Sequence, residues 1–245
     1  MSFADVEVVL CDADGNLFPS EEPAFVASAE VTNRMLGELG IPQRFGATEL
    51  RRMAVGRNFR STALELTARY GARLEPAELG RYVEEERQEV TRHLARVLAP
   101  DRHVLEPLTA LAQRFRLAAV SSSATARLDA CFEATGLAGL FPASARFSAE
   151  DSLSVPASKP DPAIYNHAAK ALGVSGSRGL AIEDAPAGVR SAVGAGFPAV
   201  GNLIFVAPAE REERTAALRD AGAAAVVASW WELVELLDAV PLAAA

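Results

Sequence analysis

The sequence has 245 residues, half of them hydrophobic and 23% charged, with a formal net charge of −8. That length suits one α/β domain with a smaller insertion, and it can bury a substantial core. An acidic chain with no Lys/Arg-rich run offers nucleic acid or an anionic membrane no basic face, and no apolar run reaches the length of a membrane span.

The opening Met1-Ser-Phe-Ala-Asp-Val-Glu lacks the basic start of a signal peptide. Cys11 and Cys131 make no disulfide framework and read as buried thiols, so the expected location is the cytoplasm. Of 24 basic residues only Lys159 and Lys170 are lysine. Arginine stands almost wherever a surface cation would serve.

In chain order, Val6–Cys11 is an apolar run ending in Asp-Ala-Asp-Gly, the pattern of a buried strand entering a loop. From about Glu21 to Arg96 the pattern turns helical, at Ala24–Leu39, Ala47–Met53, Arg60–Tyr70 and Pro76–Leu98. Turn signals at Gly40-Ile-Pro and Tyr70-Gly-Ala separate these segments, and no strand intervenes. Strand signals return at Leu117–Val120, Gly179–Ile182, Ala199–Val200 and Ala224–Val227. Between and after them lie helical patterns at Val104–Arg114, Ala124–Thr135, Pro162–Leu172, Ala185–Ala195, Glu210–Ala221 and Trp231–Leu237. Alternation of this kind predicts a doubly wound, Rossmann-like α/β core with a parallel sheet, whose ligands sit beyond the carboxyl ends of the strands. The expected division is a core of residues 1–19 and 97–245, interrupted by an all-helical domain of residues 20–96.

Four polar clusters fall at that predicted edge. Asp12 and Asp14 follow the first strand; residues two apart in extended backbone point the same way, so both carboxylates can address one space. A plain turn accounts for Asp-Ala-Asp-Gly equally simply. Ser121, Ser122 and Ser123 precede a helix, where hydroxyls and free N–H groups make either a phosphate cradle or a helix cap. In Ser158-Lys-Pro-Asp-Pro162 the prolines stiffen the approach of Lys159, which is a placed cation or a solvated one. Its retention in a chain that avoids lysine favours placement, because a compact ammonium meets an anion differently from a guanidinium fork. Glu183 and Asp184 end an apolar strand, where adjacent carboxylates repel unless a cation joins them; hard oxygen ligands suit Mg²⁺. The other reading makes Asp184 the N-cap of the following helix. Independent caps are not expected to supply two carboxylate pairs, a hydroxyl and a lone lysine together. Four carboxylates against one lysine also leave an excess of negative charge that a divalent metal would offset.

These clusters, in this order, resemble the four motifs of the haloacid dehalogenase superfamily: Asp12-Ala-Asp-Gly-Asn-Leu-Phe the first, Ser121 the second, Lys159 the third, Glu183-Asp-Ala-Pro-Ala-Gly the fourth. The inserted helices are similar to the family's type-1 cap, and the nearest likeness is to its sugar-phosphate phosphatase and β-phosphoglucomutase branch. The resemblance implies that Asp12 attacks phosphorus to form an aspartyl phosphate. Asp14 would protonate the leaving oxygen and then deprotonate the attacking water. Ser121, Ser122 and Lys159 would hold phosphoryl oxygens, with Lys159 also orienting Asp12. Asp12, the Asp14 carbonyl oxygen, Asp184 and Glu183 would hold Mg²⁺, Glu183 directly or through water. Phosphoryl transfer demands mainly positioning and charge neutralisation, and a covalent carboxyl intermediate splits one hard displacement into two. Two residues depart from the pattern: Asn16 stands where the family usually has Thr or Val, and Pro19 where an acidic residue commonly precedes Ser-Glu.

The expected partner is a small phosphorylated metabolite. A dehalogenase needs no metal carboxylates, and a phosphonoacetaldehyde hydrolase needs a lysine that residues 20–98 lack. A phosphomutase of the β-phosphoglucomutase kind carries Lys three residues after the second-motif serine. Ala124 stands there, which favours hydrolysis. A non-catalytic phosphate-binding regulator would have lost Asp12 or Asp14. Arg57 and Arg60, in Gly56-Arg-Asn-Phe-Arg60, read as substrate contacts or as solvated helix charges.

Overall fold

A computed structural model describes residues 3–54 and 58–239. Among them, residues up to Pro19 and from Ala99 onward form one compact unit, and Ser20–Leu98 form another.

The chain enters on β1 (Val8–Cys11), four residues buried on both faces. It then passes into the helical unit: α1 (Glu21–Glu38), α2 (Ala47–Met53), α3 (Phe59–Arg69) and α4 (Pro76–Val97). Helix α1 packs along α4 and against α2. Val31 and Met35 on α1, Ala63 and Leu66 on α3, and Leu79 and Tyr82 on α4 lie in the core of this unit, each pair at the three-or-four spacing that puts one face of a helix inward. The start of α4 is fixed by a capping box between Glu75 and Glu78, with Pro76 in its first turn, which satisfies amide groups that open a helix unpaired.

The other unit resumes with α5 (Arg102–Ala112), β2 (Arg116–Ser121), α6 (Thr125–Ala134), β3 (Arg146–Ser148), α7 (Ala163–Leu172) and β4 (Gly179–Glu183). It ends with α8 (Pro186–Gly194), β5 (Ala199–Asn202), α9 (Arg211–Asp220), β6 (Ala225–Val227) and α10 (Trp230–Asp238). The six strands are all parallel in the order β3-β2-β1-β4-β5-β6. This is a doubly wound, Rossmann-like sheet, with an all-helical insertion after its first strand.

β1 is central, pairing Cys11 with Ala119 on one side and Ile182 on the other. One face of the sheet, with Val8, Leu10, Ala118, Val120 and Ala181, packs against Ile164, Ala168, Val189 and Leu218 from α7, α8 and α9. Alternation sends Val9, Cys11, Ala119 and Ile182 to the opposite face, where α5 packs on β2 and on α10. Cys11 and Cys131 are buried free thiols. No helix among the described residues is long and apolar enough to cross a membrane.

Two features differ from the sequence reading. β3 is a strand that the apolar pattern does not announce. It is three residues long and pairs with β2 alone. Lys159, expected at a strand end, lies instead in a turn well beyond Ser148, the last residue of β3.

Candidate active site

Register places three acidic residues side by side. Asp12 follows the last residue of β1, Glu183 is the last residue of β4, and Asp184 follows it. The two strands are hydrogen-bonded neighbours, so each of the three can offer a carboxylate oxygen within 4.8 Å of the others. All are buried. Helix α8 begins at Pro186 with Ala185 in the cap position, so Asp184 is not that helix's N-cap.

Lys159 lies among them. Its Nζ donates to Asp12 Oδ1 at 2.5 Å, to Glu183 Oε1 at 2.7 Å and to the Val120 carbonyl oxygen at 2.7 Å. Its three protons therefore meet three protein acceptors, and contact with a phosphoryl oxygen requires exchanging one of them. Its backbone N–H reaches Ser122 Oγ at 3.4 Å. Burial works against the ammonium, but Asp12 and Glu183 hold its pKa above the ordinary lysine value. Burial is also the largest influence on Asp12, pushing its carboxyl well above the usual range. Lys159 opposes that rise, while Glu183 and Asp184 add to it.

The sequence reading missed Tyr165. Its hydroxyl donates to Glu183 Oε1 at 2.5 Å, the oxygen that also receives Lys159. Fully buried on α7, Tyr165 reads in sequence as one more residue of an amphipathic stripe. On the other side of Glu183, a Cβ on Gly188 would stand 1.7 Å from Oε2, so α8 can approach this carboxylate only through a glycine.

Asp14 lies apart from the three clustered carboxylates, facing β2. Its Oδ2 accepts from Ser123 Oγ at 2.7 Å and from Ser121 Oγ at 3.4 Å, and Arg127 reaches Ser123 Oγ at 3.3 Å. Two backbone donors of the expected phosphate cradle are already engaged: Ser123 N–H with Ser121 Oγ, and Thr125 N–H with Asp151 Oδ2 at 2.6 Å. The cap of α6 thus comes from a distant aspartate and not from the serines. Arg60 is exposed in the first turn of α3. Arg57 lies outside the described residues.

The cluster suits a hard divalent cation. Three buried carboxylates face the Lys159 ammonium and, 3.9 Å from Asp184 Oδ2, the Arg214 guanidinium, which still leaves an excess of negative charge that a further cation would offset. Oxygen donors are the ligands that Mg²⁺ takes. Gly15 leaves the necessary room. At φ +77° it turns the chain so that a Cβ there would lie 2.5 Å from Asp184 Oδ2.

Carboxylates, hydroxyls and a lysine thus gather at the carboxyl edge of a parallel, Rossmann-like sheet. Residues 6–196 match the family model of the haloacid dehalogenase-like hydrolases, and the chain belongs to that family. It is an enzyme whose structural neighbours include a predicted phosphatase. It is similar over 98% of both chains to a haloacid dehalogenase family hydrolase from Deinococcus radiodurans with bound phosphate and sodium, at 28% identity and a TM-score of 0.70. A predicted phosphoglycolate phosphatase from Haemophilus somnus covers 95% of this chain and 98% of its own, at 19% identity and a TM-score of 0.73. A variant of CbbY from Rhodobacter sphaeroides, in complex with xylulose 1,5-bisphosphate, covers 93% of this chain and 96% of its own, at 21% identity and a TM-score of 0.71. No curated protein matches the sequence.

Proposed function

We propose that the protein is a Mg²⁺-dependent phosphohydrolase of small phosphomonoesters, acting through an aspartyl phosphate on Asp12. The observation that carries this reading is the buried Lys159 ammonium between Asp12 and Glu183, with Asp184 beside them. Bound phosphate in the Deinococcus relative and a sugar bisphosphate in CbbY support a phosphorylated metabolite as substrate.

In this account Lys159 fixes one carboxylate oxygen of Asp12 and leaves the other to attack phosphorus in line with the leaving oxygen. Asp14, held by Ser121 and Ser123, gives that oxygen a proton and later takes one from the water that cleaves the acyl phosphate. Ser121 and Ser122 hold phosphoryl oxygens, and Lys159 joins them by releasing one protein acceptor. Asp12, the Asp14 carbonyl oxygen and Asp184 would hold Mg²⁺, with Glu183 beside it directly or through water. When bound there, the ion would neutralise charge on the phosphoryl oxygens and on the cluster.

A phosphomutase must also engage a second phosphate. Ala124, at the start of α6, is buried and brings no side-chain donor to that position. The test follows inorganic phosphate and glucose 6-phosphate together, from p-nitrophenyl phosphate and from β-glucose 1-phosphate with a trace of glucose 1,6-bisphosphate, with Mg²⁺ and with EDTA. Net phosphate release with Mg²⁺ alone, needing no bisphosphate, is expected. Isomerisation far outrunning phosphate release would assign the protein to the mutases instead.

A further inference from the structure

Directly beneath the carboxylates lies a polar network. Asn16 and Asn202 are both fully buried. The two N–H groups of the Asn16 amide go to the Asp12 carbonyl oxygen at 2.9 Å and the Ile182 carbonyl oxygen at 3.1 Å. Its side-chain oxygen accepts from Asn202 Nδ2 at 2.9 Å, and Asn202 in turn accepts from the Ile204 N–H at 3.2 Å. The Trp230 indole donates to the Asn16 carbonyl oxygen at 3.2 Å. One amide thus ties the end of β1, the end of β4 and, through Asn202, the end of β5.

These strand ends carry the carboxylates. Asp12 is itself a member of the cluster, and Ile182 immediately precedes Glu183 and Asp184. Like charges held this close push the ends of β1 and β4 apart, and the backbone bond Asp12 N–H to Ile182 O at 2.9 Å resists that. A buried amide pair is a costly way to fill space, since an apolar pair needs no partners. Asn16 uses three hydrogen-bonding groups where a hydroxyl has a single proton to give.

On the reading of the site as a Mg²⁺-dependent one, we propose that Asn16 and Asn202 act as a unit that preorganises Asp12, Glu183 and Asp184 for the metal. They are positioning residues, acting through backbone carbonyls beneath the site. The cost of gathering the carboxylates is then met on folding and not at metal binding. Because the two side chains serve one connection, their effects are non-additive.

The experiment uses the full chain: wild type, Asn16→Thr, Asn202→Ala, the double variant and Trp230→Phe. Mg²⁺ binding is measured by calorimetry, beside melting temperature and kcat and KM for p-nitrophenyl phosphate. Trp230→Phe removes the indole donor and leaves both amides, so it is the packing control. Asn16→Thr is expected to weaken Mg²⁺ binding by about tenfold or more and to lower kcat more than it raises KM. Asn202→Ala shifts binding the same way by less, and the double variant is no worse than Asn16→Thr. Trp230→Phe melts earlier but keeps its Mg²⁺ affinity. Should Asn16→Thr fail to fold, Asn202→Ser and Asn202→Ala carry the same comparison against Trp230→Phe. Wild-type affinity in the amide variants, or an equal loss in Trp230→Phe, overturns the proposal while the Mg²⁺-dependent reading stands. A wild-type protein that binds no Mg²⁺ overturns both.

Discussion

Tyr165, on α7, and Lys159, in the turn before that helix, donate to the same oxygen of Glu183, at 2.5 and 2.7 Å. Two donors on one carboxylate oxygen hold Glu183 in one orientation, and the Lys159 ammonium lies 5.3 Å from the centre of the Tyr165 ring. Burial and the neighbouring Glu183 charge raise the Tyr165 pKa well above the usual phenol range, so the hydroxyl keeps its proton and remains a donor.

Tyr165→Phe deletes that donor and keeps the ring. Removing a partner that orients a metal-site side chain commonly costs about 10- to 100-fold in affinity or activity. A fall in kcat near the lower end of that range is expected, with the fold intact by circular dichroism. Wild-type kcat in this variant would show that Lys159 alone is enough to hold Glu183.

Lys159→Arg keeps the charge but not the shape. A tetrahedral ammonium points three protons at Asp12, Glu183 and the Val120 carbonyl oxygen; a planar guanidinium cannot reproduce that arrangement in a buried site. A loss of about a hundredfold or more in kcat/KM is expected, in line with deletion of one donor from a preorganised charged site. Lys170→Arg, exposed near the end of α7, is the control and is expected to leave activity unchanged. Equal effects from the two substitutions would return Lys159 to the ordinary surface cations.

The raised pKa of Asp12 gives metal binding a pH dependence of definite sign. The unfolded carboxyl titrates near about 3.9, and burial raises the folded value above that. Protonated Asp12 therefore favours the metal-free fold at low pH, and this contribution is lost as pH rises through the folded pKa. Mg²⁺ and the proton compete for the same carboxylate, so the metal's stabilisation grows in the opposite direction. The increase in melting temperature on adding Mg²⁺ is expected to be larger at pH 8 than at pH 5.5. A larger increase at the lower pH would contradict the assignment of Asp12 as a ligand.

What the sequence made legible were groups attached to strong local signals. Asp12, Glu183 and Asp184 end short apolar runs, and strands alternating with helices were enough to expect all three at the carboxyl edge of a parallel sheet, though not to expect β1 and β4 as neighbours there. The unread parts depend on distant partners. β3 is too short to show alternation, and only the open edge of β2 makes it a strand. Asp151 caps α6 from 26 residues away, so serines next to the helix were the natural guess for its cap. Asn16 stood out as a departure from the motif, but its partner is 186 residues further on. Nothing local to either asparagine announces the pair.

The central claim is that Asp12 forms an acyl phosphate during turnover. The direct measurement quenches the enzyme in acid during turnover of p-nitrophenyl phosphate with Mg²⁺, reduces it with borohydride, and maps the modified residue by mass spectrometry. Borohydride reduces an aspartyl phosphate to homoserine. The account predicts homoserine at position 12, absent with EDTA, and no turnover in Asp12→Asn, whose amide is a poor nucleophile. Turnover with no modification at Asp12, or full activity in Asp12→Asn, would contradict it.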